Sequence, residues 1–343
     1  RKEVLAVGCA LMVFCGCGKN NAAQHYESGW AAMEKKDYTT AVNEFQQVID
    51  QNSRLAESYR AEGIAYYSEK AYPEAIAAFS RSLNNMDDPD KEFKKDVQFY
   101  LAQARMDYGE VDKAIEVYSE ILKAGEDEQA FFLRGKAYIS MEDYKNAEKD
   151  FQRALEGCED YNLYINIYQI YVEHNKAVDG DAYLKMALEL EPQDGEDCYH
   201  RGRIYEYEKN YEAARDELKT AMEQGYEDAM LLLGRVYLEM EDPASARSMY
   251  QEYLQKSEQG AKAYNGLAMC DIYDGAYDSA LENIAQGLKE NSKEDEQGLL
   301  YNEIVAYEYK RDFATAKEKM KIYLEQYPED EAALRENEFL STR

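Results

Sequence analysis

Small residues recur in this chain at intervals close to 34, and a recurrence that keeps phase for some 300 residues leaves few folds open. Aligned on Ala41, Ala75, Ala114, Ala147, Gly180, Ala214, Ala246, Ala280 and Ala316, the intervals are 34, 39, 33, 33, 34, 32, 34 and 36. Twelve residues before each stands Gly29, Gly63, Ala102, Gly135, Tyr168, Gly202, Gly234, Ala268 or Ile304, and four after it a large apolar residue, from Phe45 and Phe79 to Met320. Tyrosine follows the first small residue by three places at Tyr66, Tyr138, Tyr171, Tyr205, Tyr237 and Tyr307, which accounts for many of the 32 tyrosines as packing. Such a unit reads as a helical hairpin. Two small residues let its helices cross closely, and the bulky one fills the gap against the next hairpin. Only 5 Pro and 19 Gly interrupt a composition that otherwise suits helices.

These residues resemble the tetratricopeptide repeat over residues 22–330. The resemblance implies an all-α, right-handed superhelical solenoid of about nine hairpins, closed by a polar-faced capping helix and tail in 331–343. Three units depart from the pattern: Tyr168 and Ile304 occupy the first-helix small site, and Asp271 stands where tyrosine is expected. The five-residue excess near Asp87-Asp88-Pro89-Asp90 is expected to lengthen the turn between the second and third hairpins.

Ahead of the repeats, Arg1-Lys2 precede an apolar run from Val4 to Phe14, too short to span a bilayer, which needs about 20 residues, and suited to a signal-peptide core. Phe14-Cys15-Gly16-Cys17 resembles the lipobox of bacterial lipoproteins, with Cys9 after Ala6-Val7-Gly8 as a competing match. That resemblance implies a signal peptide in 1–16, a lipidated Cys17, a short tether in 17–21 and an exported chain held at a cell or outer membrane. Cys158, Cys198 and Cys270 fall in non-neighbouring hairpins, too far apart to bridge, so they are expected to be thiols.

With 69 acidic and 40 basic residues the net charge is −29, which argues against nucleic acid and anionic membrane surfaces as partners. The three histidines form no metal-binding spacing, and P-loop, GxGxxG and GxSxG patterns are missing. The expectation is a non-catalytic protein without cofactor or metal.

Tetratricopeptide-repeat proteins usually bind partners along first-helix positions 2, 5, 9, 12 and 13. Carried over, position 9 is Trp30, Ile64, Gln103, Lys136, Gln169, Arg203, Arg235, Met269 and Val305, and position 5 includes Arg60, Phe99, Phe132, Tyr199 and Leu231. The candidate groove is therefore Trp30, Arg60, Phe99, Phe132, Lys136, Gln169, Tyr199, Arg203, Leu231 and Arg235. Its cationic middle, Lys136 to Arg235, is expected either to receive carboxylates of an extended protein or peptide partner or to be neutralised by Glu173, Glu206 and Glu239. A glycan-binding or enzyme-associated lipoprotein is the alternative, with Trp30 and groove tyrosines stacking on sugar rings. The lysine and asparagine clamp with which some family members grip acidic chaperone tails is absent.

Overall fold

The computed structural model describes residues 21–86 and 90–343, so the signal-peptide and Cys17 expectations lie outside the described residues. Those residues form nineteen α-helices and no strand. Contacts divide the described residues into two compact units, one running to residue 158 and including 170–176, the other of residues 159–169 and 177–343.

In the first unit the hairpins are α1 (Asn21–Glu34) with α2 (Tyr38–Asp50), α3 (Leu55–Ser68) with α4 (Tyr72–Asn84), α5 (Lys91–Tyr108) with α6 (Val111–Ala124), and α7 (Glu128–Ser140) with α8 (Tyr144–Ala154). Helix α9 (Tyr161–Glu173) is shared between the units. The second unit holds α10 (Ala177–Leu188), α11 (Gly195–Tyr207), α12 (Tyr211–Glu223), α13 (Ala229–Glu239), α14 (Pro243–Lys256), α15 (Ala261–Tyr273), α16 (Tyr277–Lys289), α17 (Glu296–Tyr309), α18 (Phe313–Gln326) and α19 (Glu331–Ser341). Helices adjacent in sequence pack on one another from α1 to α8 in the first unit and from α10 to α19 in the second.

The small-residue register explains the core. All eight alanines at the second-helix site have no exposed surface. A Cβ added at Gly29, Gly63 or Gly135 would lie 2.5 to 2.7 Å from a ring carbon of Phe45, Phe79 or Phe151, so the bulky residue packs first against the glycine of its own hairpin rather than only against the next one. Tyr250 does both, since it crowds Gly234 in its own hairpin and Gly266 in the following one.

Each hairpin turn is closed by backbone alone. Lys36, Lys70, Gly109, Glu142, Asn175, Lys209, Glu241, Gly275 and Arg311 all have positive φ, and each lies five residues before the second-helix small site. In the first hairpin the Lys36 N–H donates to Met33 O and the Asp37 N–H to Ala32 O, both at 2.9 Å, and the pair repeats in every one of these turns. This left-handed ending satisfies carbonyls that the first helix would leave unbonded. The residue after it also begins the second helix. Asp37, Asp143, Asn210, Asp242 and Asp312 each accept, through the side chain, the N–H three residues on, which caps the new helix.

The five-residue excess is placed differently from the sequence expectation. Helix α5 has 18 residues, against 11 to 14 in the other first helices, and begins about a turn early, so most of the excess continues the helix rather than lengthening the turn. Asp90 caps it by accepting the Glu92 N–H.

Beside the glycine site runs a second set of contacts that the apolar pattern does not show. The residue before the glycine faces the residue before the bulky side chain: Arg134 donates bidentately to the buried Asp150 at 2.7 and 2.8 Å, and Arg201 to Glu217 at 2.8 Å. In the ninth hairpin the polarity is inverted, with Lys319 at 2.8 Å from Glu303. In the second hairpin Glu62 holds the same place, 3% exposed, but its opposite number is Ala78. Burial without that base pushes the Glu62 carboxyl up to about 7. The folded state therefore keeps a proton that the unfolded chain releases near 4.5, and stability falls as pH rises from there through about 7. Glu62→Gln should remove this dependence and raise stability at pH 8 by about 2 to 3 kcal/mol, read from urea unfolding at pH 5 and pH 8. An equal effect at both pH values would refute it.

Asp271, the residue that breaks the tyrosine pattern, has a structural reason. It is 4% exposed, accepts from Arg247 at 2.6 Å and from Asn283 at 2.7 Å, and so serves as the buried acid between α14, α15 and α16. Helix α19 packs Ala333 and Leu340 against Met320 and Tyr323 of α18, while Leu334 and Phe339 interrupt its outer face with exposed apolar surface. Glu308 of α17 faces Glu336 of α19, and burial together with that carboxyl neighbour pushes Glu308 up to about 7.

Cys198 and Cys270 are buried in apolar clusters of the second unit, and burial raises both thiols, Cys270 to about 11. Cys158 is half-buried in the turn after α8. Thiol counting in denaturant without reductant should find three over residues 22–343, with Cys198 and Cys270 reacting only slowly before denaturant is added. A count of one would contradict the register.

Candidate functional site

The ten candidate groove residues divide between the units. In the first, Trp30 lies edge-on to Tyr26 and Phe45, with centroids 6.3 and 5.5 Å away, so its ring is part of the packing. Arg60 pairs with Asp96, one hairpin on, and lies 5.2 Å from the Tyr100 ring. Phe99 and Phe132 tilt against the buried Tyr118 and Phe151 at 6.3 and 6.2 Å. All four are only partly accessible. Lys136 is exposed, and no described carboxylate lies within ion-pair distance of it.

In the second unit Gln169 donates to the Tyr207 hydroxyl at 3.0 Å. Arg203 has no carboxylate partner among the described residues. Its guanidinium is 3.2 Å from His200 Nδ1 and 3.5 Å from the Asn162 side-chain oxygen, and it lies over the Tyr199 ring. His200 is 4% exposed, and burial, then Arg203, lower its affinity for a proton, so its neutral ring has one acceptor nitrogen, Nδ1 beside Arg203 or Nε2 at 3.0 Å from the Asn162 amide nitrogen. Arg235 is different: it donates bidentately to Glu206 at 2.5 and 2.6 Å. The cationic middle of the ladder thus has three separate environments. Of the three expected neutralising acids only Glu206 takes up a position-9 cation in an ion pair, while Glu239 accepts from Tyr211 at 3.1 Å.

The register brings Tyr199, Leu231 and Arg235 together. With Asn265 and Met269, the position-5 and position-9 residues of the next hairpin, they line a cleft of about 760 Å³ on the first-helix face of the second unit. The Tyr250 and Tyr253 rings reach it from α14, and Lys262, Asp228, Glu290, Glu294 and Asp295 also contribute to its lining. Asn265 accepts from Asn302 at 2.8 Å, which holds its amide in place. The acidic residues were missed by the sequence reading because they lie in the turns before α13 and between α16 and α17 rather than at first-helix positions 5 and 9; the acidic stretch Glu290 to Glu296 was the available signal. No described group of His, Cys, Asp and Glu has the arrangement of a metal site. The lining offers ion pairs, amide hydrogen bonds and apolar contact, which suits reversible binding of an extended chain.

Comparison with known proteins agrees with the register. One family model described as "Tetratricopeptide repeat" matches residues 26–90, 199–261 and 231–297, and a second of the same description matches 128–160, together more than half of the chain. No curated protein matches the sequence. Among solved structures, YrrB, described as a tetratricopeptide-repeat protein with an unusual peptide-binding site, is 26% identical over 55% of this chain and 97% of its own, with a TM-score of 0.36. A tetratricopeptide-repeat protein of Parabacteroides merdae is 16% identical over 83% of this chain and 99% of its own, TM-score 0.45. Yeast Tom70 is 14% identical over 90% and 78%, TM-score 0.47. With the hairpin register, the glycine-on-aromatic packing and the family models in agreement, this chain belongs to the tetratricopeptide-repeat family.

Proposed function

We propose that the chain is a non-catalytic scaffold of a bacterial cell envelope that holds an extended segment of a protein partner on its first-helix face. The cleft where Tyr199, Leu231 and Arg235 converge carries this reading, because those residues come from successive hairpins and present a continuous recognition strip. A photo-crosslinking residue at position 231 should trap peptides of one protein, and the same probe at the exposed Ile322 of α18 should not. Equal trapping at both positions, or none at 231, would remove the scaffold assignment. The glycan alternative draws on Trp30, which is packed edge-on against Phe45 and Tyr26.

The anchor is the second part of the proposal. Lipidation of Cys17 would leave four residues before the repeats, a tether of at most about 14 Å, and so keep the scaffold near a bilayer. Mass spectrometry of the mature N-terminus should find a diacylglyceryl adduct on Cys17; an N-terminus elsewhere without it overturns the anchor and leaves the cleft untouched.

A further inference from the structure

We infer that the cleft of the second unit selects a cationic partner segment, one bearing two or more lysine or arginine side chains spaced along an extended chain. This rests on the scaffold reading and reverses the charge expected from the position-9 ladder. The ladder points to arginines that would take up a partner's carboxylates. In the folded protein Arg235, the position-9 arginine lining the cleft, is already engaged bidentately by Glu206, itself 14% exposed.

What remains is acidic. Asp228, Glu290, Glu294 and Asp295 line the cleft against the single ammonium of Lys262, which reaches Glu294 and Asp295 only at 3.6 and 4.0 Å. The side chains of Asp228 and Glu290 make no hydrogen bond or ion pair among the described residues. An incoming carboxylate would therefore meet uncompensated negative charge in a body that carries −29, whereas a cationic segment would be drawn in by the same field. The apolar part of the lining fits the stems of such side chains. Met269 is 42% exposed, Leu231 and Tyr199 are half-buried, and a lysine or arginine can lay its methylenes on them while its head reaches the carboxylates.

Fluorescence polarisation with the full chain and labelled 12-residue peptides tests this directly, using alternating Lys-Ala, Glu-Ala and Gln-Ala probes. The Lys-Ala peptide should bind at least about tenfold more tightly than either of the others, and weaken about tenfold between 50 and 300 mM salt. Asp228→Asn with Glu290→Gln should weaken it by about tenfold without moving the melting transition, since both side chains are exposed and unpartnered. Binding of Glu-Ala or Gln-Ala as tightly as Lys-Ala, lost on Leu231→Ala, would overturn the cation selectivity and leave the scaffold reading standing. Lys-Ala binding untouched by the double substitution would show attraction to the acidic body at large and overturn the site. No binding of any probe would count against the selectivity and the peptide-holding cleft together.

Discussion

Arg134→Ala should destabilise the first unit by about 3 to 5 kcal/mol, far more than Arg153→Ala, whose ion pairs are exposed and worth at most about 1 kcal/mol. The reason is the partner left behind. Asp150 is 5% exposed, and its carboxylate takes both the Nε–H and the Nη2–H of Arg134, while Nη1 donates to Ser119 at 2.9 Å. Without the guanidinium that carboxylate stays buried and unpaired, or must take up a proton. Arg134→Met with Asp150→Val removes both charges at similar total volume, so the double variant should recover most of the loss. Urea unfolding of the two singles and the double gives the cycle. A single-variant cost below about 1 kcal/mol, or a double no better than Arg134→Ala, would refute the assignment.

Truncating Phe79 to alanine should cost about 3 to 5 kcal/mol, and adding one carbon opposite it, as Gly63→Ala, about 1 to 3 kcal/mol. Phe79 has no exposed surface, and a Cβ on Gly63 would come within 2.6 Å of its ring edge, so the ring or the helix must shift. The two changes should therefore couple. Gly63→Ala ought to be nearly harmless in a Phe79→Ile background, because a β-branched side chain leaves the space that an aromatic ring fills here and that the leucine opposite Gly202 also fills. The chain itself contains the relieved pairing, with Ala268 at the glycine site where Ile284 is the bulky residue. Strictly additive losses in the double variant would show that this glycine serves the backbone rather than the close approach.

The glycine, alanine and bulky sites were legible because their chemistry is restrictive: where two helices cross closely, few side chains fit, and a nine-fold register follows from composition at three positions. The turn-closing site was not legible for the opposite reason. Its hydrogen bonds are all backbone, so Lys36, Asn175, Glu241 and Gly275 serve alike and leave no residue signature. The buried ion pairs escaped notice because they occupy a shared position in only some hairpins, Arg134 in one and Glu303 with reversed sign in another. At the site, register placed Tyr199, Leu231 and Arg235 correctly beside one cleft, yet charge went unread. Position alone identifies Arg235 as a cation; only the fold places Glu206 against it.

All nine hairpins keep seven residues from the first small site to the left-handed residue and five more to the second, while every change in repeat length, from 32 to 39, falls between one hairpin and the next. A segment from one junction to the next thus carries both halves of its turn and, in the five hairpins that have one, the side-chain cap that starts its second helix. Copying or deleting it by recombination would leave no unpaired donor or acceptor inside any turn. Such a chain can lengthen or shorten its recognition strip in whole units, and new sequence can enter at the junctions, whereas a single residue added between the two helices of a hairpin would break both turn bonds and the cap at once.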